Sequence, residues 1–174
     1  MTALRDQLIA LNACSDAIEW VGDRDLPTAW RECERADWLL WICAKQIGKS
    51  GWADHQTVVR MACDCAERSL RFVPAGEDRP RLAIEAARRW ADDPTEENLD
   101  AAGAAAWAAR AAAWATGAAG AARAAWAARA AAWAAWDAAR AAAWAAGDAG
   151  DAEHRAMCEM IRERFTPPAE EGKP

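Results

Sequence analysis

The chain has 174 residues, 53% of them hydrophobic, which is enough for one domain with a proper core and short for two independent ones. Its formal charge of −6 weighs against extended nucleic acid as a partner, because neutralising phosphates needs an excess of Lys and Arg. The Ala-rich tract in the second half is interrupted by Arg110, Arg123, Arg129 and Arg140 too often for the roughly 20 apolar residues of a membrane span, so no membrane association is expected.

Apolar residues recur at three and four along the whole sequence, and nothing alternates as a strand does. The expected class is therefore all-α, a single-domain multi-helix bundle. Thr2 caps a first helix through Leu11, and "CSDAIEW" continues or restarts it up to a break at Gly22 and Pro27. One helix is expected from about Thr28 through "RADWLLWICAKQI", stopping near Gly48 and Gly51. Another covers "DHQTVVRMACDCAERSL", with Asp54 near its start, and ends before Pro74. Pro80 opens "RPRLAIEAARRWADD", since proline is tolerated in a first helical turn. The N-terminal helices then occupy residues 1–93.

Residues 94–146 form the long Ala/Trp/Arg-rich part, with Thr95 as cap and the carboxylates of "PTEENLD" favoured in its first turn. Alanine, the strongest helix former, fills 31 of the positions 101–146, and Gly117 and Gly120 break or kink the tract. A last helix is expected over 151–165. Residues 1–166 make the domain, and 167–174 are a disordered tail.

Six cysteines without a secretion signal read as reduced thiols in a cytosolic protein. Cys63 and Cys65 lie about 200° apart on a helix, so they serve as small buried hydrophobes and not as joint metal ligands. His55 and His154 are read as solvated helix-end residues. No phosphate loop, nucleophile elbow or carboxylate dyad is present, so no catalytic residue, metal or cofactor is expected and the chain is not read as an enzyme.

The one patterned constellation is in the Ala-rich part. At about 100° per residue, Trp126, Arg129, Trp133, Trp136, Arg140 and Trp144 share an arc of about 80°, and Trp107, Arg110 and Trp114 repeat it. Each Arg has a Trp within one turn on both sides, the spacing for guanidinium–indole stacking. Such a stripe packs as core if Asp37, Asp64, Glu67 and Glu85 supply partners for its arginines. It also suits a cleft for a small anionic aromatic ligand such as a nucleotide signal, a protein-contact surface, or a homo-oligomer seam.

"CSDAIEW" (14–20), "DWLLW" (37–41), "RMACDCAERSL" (60–70) and "RPRLAIEAARRWADDPTEEN" (79–98), followed by the Ala-rich tract, resemble the Imm-five-like family of immunity proteins. That family is associated with bacterial polymorphic toxin systems and with phage-type genomes. The likeness spans roughly residues 8–145. It implies an all-α domain that neutralises a toxin or effector protein by direct binding, and it brings no set of site residues with it.

Overall fold

In a computed structural model of the chain, residues 3–73, 75–116 and 148–168 are described, with the backbone alone described at 3, 109–116 and 148–150. Among them the structure is helical and without strands, as the periodicity requires. The helices are α1 (Ala3–Ala10), α2 (Ser15–Val21), α3 (Leu26–Glu32), α4 (Ala36–Lys45), α5 (His55–Ser69), α6 (Arg79–Asp92), α7 (Glu96–Thr116) and α8 (Asp148–Arg164), with a 3-10 turn at Leu70–Phe72.

Local chemistry explains where the short N-terminal helices stop. Asn12 takes a left-handed conformation (φ 58°), and the N–H groups of Asn12 and Ala13 donate to the carbonyls of Ile9 and Leu8. This is a Schellman closure with Asn in the position glycine usually fills. It makes α2 a restart and not a continuation of α1. Pro27 stands in the first turn of α3, behind an Asp25 cap that accepts the Thr28 N–H at 2.9 Å. The expected break at Pro27 is thus a helix start, since proline lacks only an N–H that a first turn leaves unbonded anyway. The single helix expected from Thr28 onward is two, parted by extended backbone at Cys33 and Arg35.

Asp54 caps α5 by accepting the Thr57 N–H at 2.7 Å, Pro80 sits in the first turn of α6, and the Thr95 hydroxyl accepts the Asn98 N–H at 3.2 Å. These starts agree with the sequence. Helix α8 begins at Asp148 and ends at Arg164, three residues before and one before the expected bounds. Gly117 and Gly120 lie outside the described residues, as does Thr2.

Helix α5 is the axis of the fold, buried over most of its circumference. One side, with Val58, Met61, Ala62 and Cys65, packs into a core shared with α1–α4 and α8. The other side, with Val59, Cys63 and Ala66, packs against α6 and α7 through Ile84, Ala87, Trp90 and Ala102. The angular separation of Cys63 and Cys65 therefore places one thiol in each core. All six cysteines are free, and all but Cys14 are buried.

Buried carboxylates tie the helices together. Asp64 of α5 accepts from Arg88 of α6 at 2.8 Å and from Arg164 of α8 at 2.6 Å. Glu153 of α8, also buried, pairs with Arg68 and Arg71. Asp37 pairs with Arg35, Glu67 with Arg88, and Glu85 with Arg81. These are the described partners of the acids expected to serve the Trp/Arg stripe, whose own arginine side chains lie outside the described residues.

Beyond α5, the C-terminal end of α8 continues into Phe165, whose ring meets Trp30 edge-on (centroids 5.8 Å) and Trp52 (5.8 Å). Gly51 (φ 76°) lets the chain pass Pro168, where an added Cβ would stand 3.1 Å from the proline Cβ.

Candidate functional site

A concave feature built by described side chains lies at the N-terminal end, among α1–α4. Helix α1 contributes Leu4 and Leu8, the Schellman turn contributes Asn12 to Cys14, and α2 contributes Asp16, Ala17, Trp20 and Val21. Leu26, Ala29, Trp30 and Cys33 come from α3 and its end, while Arg35, Asp37, Trp38, Leu39, Trp41 and Ile42 come from α4 and the residue before it. The spacing on each helix is that of one face: i, i+4 for Leu4 and Leu8, and i, i+3, i+4 for Trp38, Trp41 and Ile42. The cleft encloses about 430 Å³.

Four tryptophans give it its character. Trp30 is buried, Trp20, Trp38 and Trp41 are half-buried, and all four line the cavity. Trp20 and Trp38 meet at 5.7 Å between ring centroids, tilted by 57°. Each ring carries a guanidinium: Arg24 lies 4.8 Å from the Trp20 centroid and Arg35 lies 4.7 Å from that of Trp38. Such contacts are worth about 0.5–1 kcal/mol each when exposed.

Under this wall lies a polar floor reached from the far end of the sequence. Arg35 grips Asp37 with two bonds, Nε to Oδ1 at 2.9 Å and Nη2 to Oδ2 at 2.7 Å. The carboxylate is only 2% exposed, so this fork offsets the cost of removing it from water. His154 of α8 stands behind it. Its Nδ1 accepts the Ala36 N–H, the first of α4, at 3.3 Å and lies 3.9 Å from Asp37 Oδ1. Because Nδ1 is the acceptor, the neutral ring carries its proton on Nε2. Burial holds the imidazole below its ordinary value of 6.5, against the opposing pull of Asp37. His154 is therefore a buried brace of the cleft floor, which corrects its reading as a solvated helix-end residue. His55 does stand at a helix start, half-buried with its ring 4.8 Å from that of Trp90.

A second brace is Arg162. Its Nε donates to the Trp30 carbonyl at 2.9 Å and its Nη2 to the Cys33 carbonyl, so α8 holds the C-terminal end of α3. Burial pushes the Cys33 thiol, also part of the lining, up to about 11.

Of the stripe expected in the Ala-rich part, Trp107 lies on α7 and is 56% exposed. The side chains of Arg110 and Trp114 lie outside the described residues, as do Trp126, Arg129, Trp133, Trp136, Arg140 and Trp144. Trp107, the one stripe residue whose side chain is described, does not line the cleft. The cleft's own tryptophans were not singled out by periodicity, because they stand on three separate short helices and no single face collects them. The usable signal was density, with Trp20, Trp30, Trp38 and Trp41 falling within 22 residues.

Among the described residues, no group of His, Cys, Asp or Glu is placed to hold a metal ion, and no helix is long and apolar enough to cross a membrane. No family model, no curated protein and no solved structure matches the chain.

Proposed function

We propose that the chain is a non-catalytic binding protein of the immunity type, which neutralises a toxin or defence effector by seating one of its side chains in the α1–α4 cleft. The supporting observation is the cleft itself. Its volume of about 430 Å³ falls within the roughly 300–1,000 Å³ of ligand sites, and its walls are tryptophans, the side chains most enriched where binding energy concentrates. The role as inhibitor rests on the resemblance to the immunity family, and the acidic balance of the chain suits a basic target.

The test is native mass spectrometry of the tagged chain isolated from its host, beside an Ala17→Phe variant that fills the cleft from α2. A stoichiometric protein partner carried by the wild type and lost from the variant is the expected result. A partner retained equally by both refutes docking in the cleft, and no protein partner at all refutes the immunity role. The cleft volume also favours a second reading, sequestration of a small aromatic molecule, which the same spectrum reports as a low-mass adduct.

A further inference from the structure

We infer that the group taken by the cleft is an apolar side chain flanked by basic residues of the partner protein. This rests on the reading of the cleft as the docking site. The interior offers no unpaired charge, since Arg35 and Asp37 bind each other through two bonds and the remaining deep lining is aliphatic, indole or, at Cys33, a neutral buried thiol. A charged head pushed into it loses its water with no counter-charge in return. What enters is therefore apolar.

The mouth is different. Asp16, exposed on the first turn of α2, lines the cleft and has no ion-pair partner among the described residues. Over residues 1–35 the carboxylates, from Asp6 to Glu34, are all exposed and outnumber the arginines seven to four. Among these groups Arg24 pairs with Glu32 at 2.9 Å, Arg35 with Asp37, and Glu34 with Arg155 at 3.7 Å. The surplus is thus negative and lies on the elements that frame the opening. Its reach is a Debye length, about 8 Å at physiological salt, so it acts on the residues beside the inserted group and not on the group itself. The indole faces at the wall already accept guanidiniums, which shows the sign of charge they favour.

Three capped pentapeptides test this, each with a central Phe flanked on both sides by two Lys, two Ser or two Glu. They are titrated into the full-length ¹⁵N-labelled protein while the indole N–H signals of Trp20, Trp38 and Trp41 are followed. The Lys-flanked peptide should bind about ten-fold more tightly than the Glu-flanked one, with the Ser peptide between and the spread shrinking as salt is added. Asp16→Lys, a change at an exposed position, should narrow the spread. Equal binding of all three peptides at the cleft overturns the charge preference and leaves the cleft standing as a docking site. Failure of every peptide to move these signals, in a protein whose spectrum stays dispersed, overturns the docking site and the preference with it.

Discussion

Arg162→Met removes the two bonds by which α8 holds the end of α3 while keeping most of the side chain's apolar stem. The Trp30 and Cys33 carbonyls then lose a charged donor at the terminus of a helix of only seven residues. Hydrogen bonds from charged groups contribute about 1.5–3 kcal/mol each. Arg162 is half-buried, so water replaces part of what is lost and the lower end applies to both bonds. The expected loss is about 3 kcal/mol in all. With a urea slope of about 2 kcal/mol/M, the unfolding midpoint falls by about 1.5 M at unchanged slope. Arg162→Lys retains the charge but not the fork, and should recover less than half of the loss. A midpoint lowered by less than about 0.3 M in the Met variant would refute the reasoning, for it would mean that solvent serves these carbonyls as well as the guanidinium does.

Three further outcomes follow from the same geometry. His154 is held below its unfolded value of about 6.5, so its contribution to stability is complete above that pH and is lost as pH falls through the lower folded value. Of the groups facing it, Asp37 opposes this shift, Arg35 reinforces it, and Asp151 on its own helix opposes it. Urea midpoints measured at descending pH should decline below about 6.5, and His154→Asn, whose amide oxygen can still accept the Ala36 N–H, should flatten that decline; an equally steep decline in the variant contradicts the assignment. Gly51→Ala meets both a positive φ and the Pro168 ring, and should cost at least about 1–2 kcal/mol by thermal or urea unfolding, against near-neutrality if the turn re-forms freely. Disulfide-reagent titration of the native protein should find one fast thiol, Cys14. The other cysteines are buried, with Cys33 pushed up to about 11 and Cys43, Cys63 and Cys65 to about 12. Several fast thiols would contradict the packing, and a bound occupant should slow Cys14, which lines the cleft.

The helices and many of their starts were legible because their causes are local. Asp54, Pro80 and Thr95 act within one turn of themselves, and a sequence displays that directly. The division between α3 and α4 was not, since Cys33, Glu34 and Arg35 carry no glycine or proline. The extended backbone there is held by contacts from Arg162 and His154, more than a hundred residues away. The same distance hid the burial of His154, which looks polar and exposed beside Glu153 until both are seen turned inward, Glu153 toward Arg68 and His154 toward Ala36. The candidate site was missed for a related reason. Periodicity searches one helix at a time, and so it selected the long Ala-rich stripe over a cavity assembled from the faces of several short helices. The buried carboxylates were visible as residues, but their partners depended on which helices became neighbours.

The attachment of α8 to the N-terminal helices has a temporal side. Ala36 and His154 are separated by 118 residues, so during synthesis the first helices leave the ribosome long before the imidazole and guanidinium that anchor them. The nascent chain must hold Trp20, Trp30 and Trp38 without their final support, and the pocket they make becomes competent only once α8 has been made. A chain interrupted before Asp148 would consequently present these indoles as a sticky surface and not as a shaped receptor.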